Sequence, residues 1–180
     1  MKVPLLMICL LGSIPALFAQ KEELDYAVSN QGDTVWGRHR SNLLRSHILE
    51  TDSGKVTLKA TDYKFVFVRE DSAFFRSMRI RGVANDQWCE RIENGRIQLF
   101  SYLMSHGQNM TTRQIYAVKG RTVVQVFTEG LGANKEQKKE ELKGLIDDNP
   151  EVLSELEKTK GLKYKTVLAL VKKYNAASIN

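Results

Sequence analysis

The feature that most narrows the fold is a change of period near residue 130. Before it, β-branched and aromatic residues alternate with polar ones, and turn signals recur about every ten residues, as half-buried strands require. After it, Lys, Glu and Leu fall at helical spacing. Strands first and helices afterwards, rather than in alternation, predict an α+β chain. An antiparallel β roll or barrel-like meander of eight to ten strands is the economical arrangement, because closure removes unpaired edges. A C-terminal segment of about three short helices completes it. The expected organisation is residues 1–19 as a leader, 20–133 as the β domain, and 134–180 as a helical segment packed on it or on a partner.

Within the β region, QWCERIENGRIQLFSYL, residues 87–103, reads as a hairpin. Asn94-Gly95 offers the two positive-φ positions of a type I′ turn. That turn pairs Glu93 with Arg96 and Ile92 with Ile97. Trp88, Ile92, Ile97, Leu99 and Leu103 then share a core-like face, while Cys89, Arg91, Gln98, Phe100 and Tyr102 share a mixed, half-covered one. A second hairpin is expected to turn at Lys119-Gly120 and a third around Glu70-Asp71-Ser72. Short strands are expected over 26–29, 34–40, 47–50 and 55–59, with Asp52-Ser53-Gly54 turning between the last two. In SNQGDTVWGRHR, residues 29–40, Gly32 permits the turn and Asp33 is placed to bond the backbone two residues on. Gly37 marks a bulge or the close approach of another strand.

The tail opens at Asn134, a good N-cap, with Gln137 as its reciprocal capping partner and a helix running to Ile146. Asn149-Pro150 starts the next helix and Gly161 ends it. The third, over 163–176, places Tyr164, Val167, Leu168, Val171 and Tyr174 on one face.

The chain begins MKVPLLMICLLGSIPALFAQ. A short positive start, an apolar run and a small residue at Ala19 are the layout of a secretory signal peptide cut between Ala19 and Gln20. Pro4 and Pro15 argue against a membrane anchor, as does an apolar run shorter than the roughly 18–20 residues needed to span. No transmembrane segment is expected after cleavage. Cys9 lies too early in the run, behind Met7 and Ile8, for a lipoprotein signal. Only Cys89 then remains, so no intramolecular disulfide forms. Loss of Lys2 takes the formal charge from +6 to +5.

Motifs for chemistry are sparse. His39, His47 and His106 have no metal-ligand spacing, although His39 and His47 flank a turn and could meet. Neither a metal nor a cofactor is expected. Cys89 sits mid-strand, where a small hydrophobe fits better than a nucleophile. There is no GxSxG, and Gly32-Asp33-Thr34-Val35 lacks the glycine that an aspartic-protease loop carries after Thr. Residues 20–134 hold sixteen basic and thirteen acidic residues, which is no phosphate-tracking patch, and no nucleic acid is expected. The tail lysines interleave with glutamates and read as solvated helix surface.

Three features set together carry a resemblance. They are the leader ending in Ala19-Gln20, the strand-turn-strand from Tyr26 through Gly32-Asp33-Thr34 to Gly37, and a tail with Asp148-Asn149-Pro150 and Lys173-Tyr174-Asn175. The chain resembles small secreted Bacteroidota proteins that open with a Gly-Asp-Thr-x-x-Gly hairpin. The resemblance implies a bacterial envelope location, secreted or periplasmic, and transfers no catalytic residue.

The expectation is therefore a non-enzymatic envelope protein that binds another protein or a small ligand, with Phe75, Phe100 and Tyr102 as possible contacts. One rival is a hydrolase-type enzyme assembled from separate strands, with Asp33, His39, His47, Asp62 and His106 as raw material. The other is an assembly protein acting through its helical tail. No catalytic, cofactor or metal residue is assigned, and the oligomeric state is left open. N-terminal sequencing of the exported protein should start at Gln20 or its cyclised form; retention of residues 1–19 refutes the leader assignment.

Overall fold

The computed structural model describes residues 24–41, 46–106, 111–130 and 134–177. The expected leader lies outside them. The chain is α+β: ten strands paired antiparallel, then three helices. It divides into two compact units, with the boundary after Ala73.

The first unit holds β1 (Asp25–Ser29), β2 (Thr34–Ser41), β3 (His47–Thr51), β4 (Gly54–Leu58) and β5 (Tyr63–Val68), in the order β5-β1-β2-β3-β4. All lie within a residue or two of their expected positions. Ala27 pairs with both Val35 and Val66, His39 with Leu49, and His47 with Leu58. These residues share one face, on which Ala27, Leu49, Leu58 and Val66 are buried. Gly37 belongs to it because a Cβ there would stand 2.5 Å from the Glu50 carbonyl oxygen of β3. Of the two roles expected for this glycine, close approach is the one the fold uses.

The first turn is built differently from expectation. The Ser29 hydroxyl, not the Asp33 carboxylate, accepts the turn amides, from Gln31 at 3.2 Å and Asp33 at 3.1 Å. Gly32 has φ of 101°, as a turn glycine should. The Asn30 amide donates to the Asp62 carbonyl at 2.9 Å, tying this turn to the one before β5.

The second unit contains β6 (Ala73–Met78, whose first residue precedes the boundary), β7 (Gln87–Glu93), β8 (Gln98–Ser105), β9 (Thr111–Lys119) and β10 (Thr122–Thr128), paired in chain order. Helices α1 (Lys135–Ile146), α2 (Pro150–Lys158) and α3 (Tyr164–Ala177) cover one face. Ile97, Leu99, Ile115, Ala117 and Val126 meet Leu142, Ile146, Leu156, Leu170 and Val171 there, all essentially solvent-free. The other face buries Met78, Ile80, Cys89, Phe100, Tyr116 and Val118. The face expected to be half covered contains a second core with Cys89 and Phe100 wholly inside it, while Arg91, Gln98 and Tyr102 are half-buried. Leu103, expected in the core, is 38% exposed.

The β7–β8 connection departs most from expectation. Arg91 pairs with Phe100 and Glu93 with Leu99, with an irregularity between Arg91 and Glu93. The turn therefore spans Asn94 to Ile97, and Gly95 is not among the positive-φ glycines. Up to that irregularity the ladder has slipped by two residues, an even number, so the faces survive. The cause is a distant side chain. Asn175 of α3 accepts the Ile97 amide at 3.0 Å and donates to the Ile97 carbonyl at 2.9 Å and to Glu93 at 3.3 Å. A Cβ on Gly95 would overlap the Asn175 carboxamide.

The helix starts follow the caps. Asn134 accepts the Gln137 amide at 3.0 Å and Asn149 the Val152 amide at 3.1 Å, with Pro150 at the first helical position. Gln137 does not reach back to the cap; its side chain donates to Glu141 at 3.1 Å. Nor does Gly161 end α2. Thr159 does so earlier, giving both its amide and its hydroxyl to the Leu156 carbonyl. The stripe of α3 includes Leu170, one residue beyond the expected set.

Removing the Asn175 carboxamide leaves the buried Ile97 backbone groups without these partners. Asn175→Ala should cost roughly 1–3 kcal/mol in urea unfolding, and Gly95→Ala a similar amount through overpacking. The double variant should recover part of the loss, since each change relieves the other. Strictly additive losses would place the need for Gly95 in its backbone instead.

Candidate functional site

The polar side chains that could act chemically in the first unit gather around β2 and β3. His39 and His47 lie on the same face of adjacent strands, offset by one pair of residues. Their rings meet, with His39 Nε2 2.9 Å from His47 Nδ1, so one ring donates its N–H to the other. The ring centroids are 5.0 Å apart. His47 is 7% exposed, and burial, reinforced by the neighbouring His39, brings its pKa down to about 4. Burial also lowers that of His39, against the opposing pull of the Asp25 and Asp71 carboxylates. Both rings are therefore held neutral near pH 7.

Asp25 is the residue that sequence reasoning missed. Its carboxylate accepts the His39 backbone amide at 2.6 Å and the Arg69 backbone amide at 2.7 Å, joining β2 to the end of β5. It bonds the His39 main chain and not the imidazole, so it does not orient that ring as a hydrolase dyad would. No sequence signal marks it, because one of its partners lies 44 residues away.

Beside this pair lies an open concavity of about 1210 Å³. His39 and Asp25 line it, together with Arg38, Arg40, Arg69 and the acidic Glu50, Asp52, Glu70 and Asp71. Arg40 and Lys55 both pair with Glu50, at 3.4 Å each.

Within the first unit, the other residues proposed for a strand-assembled enzyme site do not join the pair. Asp33 stays in the first turn, 3.5 Å from the Ser29 hydroxyl, and Asp62 accepts from the Thr61 hydroxyl at 2.8 Å. His106 belongs to the other unit. Among the described residues no group of three or more His, Cys, Asp and Glu is placed to cage a metal ion. The Cys89 thiol is buried, and burial pushes its pKa up to about 12, so it is neither a nucleophile nor placed for an intermolecular disulfide.

The aromatic residues expected as contacts are partly or wholly buried. Phe100 is core, Tyr102 packs against that core, and Phe75 is half-buried. On the opposite face of the first unit, Tyr26 stands 5.1 Å from Trp36 and 5.5 Å from Phe67, a row across three strands with Trp36 37% exposed. Period-two reading of β1, β2 and β5 contains this row, since all three residues have the parity opposite to Ala27, Val35 and Val66. Comparison with protein-family models, with curated proteins and with solved structures finds no match.

The buried imidazoles make the first unit sensitive to acid. Between pH 6.5 and about 4 the unfolded His47 takes a proton that the folded one refuses, so stability falls as pH falls. The loss should be on the order of 3 kcal/mol across that window. His47→Gln, which keeps a hydrogen-bonding group beside His39, should flatten this part of the pH–stability profile. An unchanged slope would show that the native ring titrates normally.

Proposed function

We propose that this chain is an exported bacterial envelope protein that binds a partner protein and is not a hydrolase. The observation that carries the reading is the aromatic row Tyr26–Trp36–Phe67, half open to solvent and flanked along β2 by the exposed Arg38 and Arg40. Aromatic and arginine side chains are the residue types that concentrate binding energy at protein interfaces. Against the hydrolase, Asp25 is committed to two backbone amides and His47 is too weak a base at neutral pH. An assembly role through the tail has less to work with, because the apolar stripes of α1, α2 and α3 are largely buried in their own unit.

The test is capture from the native envelope fraction with the mature chain and with a Trp36→Ser, Arg38→Glu variant. A partner retained by the first and lost by the second, at equal folded content, supports the reading. Equal retention by both removes the aromatic row from the function. Hydrolysis of any ester, peptide or glycoside substrate that disappears in His39→Gln would establish the enzyme instead.

A further inference from the structure

A cavity of about 220 Å³ lies in the second unit, where the end of β10, the start of α1 and residues 162–164 at the start of α3 converge. Its apolar wall is Val126, Phe127, Leu162 and Tyr164, with the Phe127 and Tyr164 ring centroids 6.3 Å apart. Its charged wall is Lys135, Lys138 and Lys163 against one carboxylate, Glu129, which already accepts the Arg113 backbone amide at 3.3 Å.

Lys138 is the cation left unanswered. Its side chain is only 13% exposed, and its nearest carboxylate, on Glu141, stands 3.7 Å away, beyond hydrogen-bond length. Glu141 is also engaged by Gln137, at 3.1 Å. Among the described residues no acceptor bonds the Lys138 ammonium. A covered cation costs stability unless acceptors meet it, and the cavity it lines is where they can enter. Lys135 and Lys163 are exposed and have no carboxylate partner among the described residues, so the wall is net positive. The volume falls below the roughly 300–1,000 Å³ of sites for drug-sized ligands, which excludes a helix or a folded peptide. A bare inorganic anion would leave the four apolar side chains unused.

We propose that this cavity binds a small organic monocarboxylate. The carboxylate meets the Lys138 ammonium, and the body, one ring or a short chain, lies against Phe127, Leu162 and Tyr164. Lys135 and Lys163 add positive potential that draws the anion in. Binding is non-covalent and reversible.

The isotope-labelled full chain is titrated with phenylacetate and with hexanoate at pH 7 and followed by amide chemical shifts. At least one acid should saturate, with shifts centred on residues 127–129, 135–138 and 162–164. Phenylacetamide, of the same shape but neutral, should bind about tenfold more weakly than phenylacetate. Lys138→Met, which keeps the packed stem and removes the charge, should lose a similar factor. Lys163→Gln should weaken binding by about two- to fivefold, and Lys165→Gln, exposed and off the wall, should leave it unchanged. No saturating shift with either acid, equal binding of the amide, or unchanged affinity in Lys138→Met overturns the proposal. Inorganic phosphate competing as strongly as phenylacetate also overturns it, since the apolar wall would then contribute nothing. If Lys138→Met fails to fold, the phenylacetamide comparison on the native chain decides. The outcome is independent of partner capture by the aromatic row, which lies in the other unit.

Discussion

The covered face of the second unit depends on a small set of polar contacts at the ends of its helices. Apolar burial draws α1, α2 and α3 onto the sheet, but a greasy surface does not by itself specify register. Asp148, between α1 and α2, supplies the register. It accepts the Tyr174 hydroxyl of α3 at 2.9 Å and Lys119 of β9 at 3.1 Å, and it pairs with Arg96. Partial burial opposes its charge, yet these bonds outweigh it and hold the carboxyl at about 2. Tyr174 is fully buried and needs such a partner for its hydroxyl. Arg96 and Lys119 also stand over its ring, at 4.9 and 5.1 Å. One buried phenol thus gathers the β7–β8 turn, a strand, a helix junction and the last helix.

These contacts change what the short motifs of the chain mean. Asp148-Asn149-Pro150 is an ion-pair acceptor, an N-cap and a first-turn proline, while Lys173 pairs with Glu151 and Glu155, and Tyr174 and Asn175 do the docking. Gly37 admits a neighbouring carbonyl. Gly37, Asp148-Asn149-Pro150 and Lys173-Tyr174-Asn175 are joints of the fold, which is why they offered no chemistry to read.

Local rules located the strands and helix starts well, because alternation, turn residues and caps act over a few residues. They erred where a distant group intervened. Asn94-Gly95 has the composition of a tight turn, but Asn175 occupies the space and the turn opens around it. Gln137 had a nearer partner in Glu141 than the cap, and Thr159 closed α2 before Gly161 was reached. The meeting of His39 and His47 was legible only as a possibility, since their contact needs the β2–β3 register as well as the turn. The buried second face around Cys89 was read as half covered because Arg91 and Gln98 share its parity. Arg91 resolves that conflict by laying its guanidinium over the Phe74 ring, 4.1 Å from the centroid.

The link from Asn175 to Ile97 spans 78 residues. While the chain is being made, the β7–β8 connection emerges long before the side chain that shapes it, and Ile97 and Leu99 lack part of their cover until α3 follows. The second unit can therefore close only after its last helix has left the ribosome. Until then the apolar face of its sheet lacks part of its cover and is open to contact with other molecules.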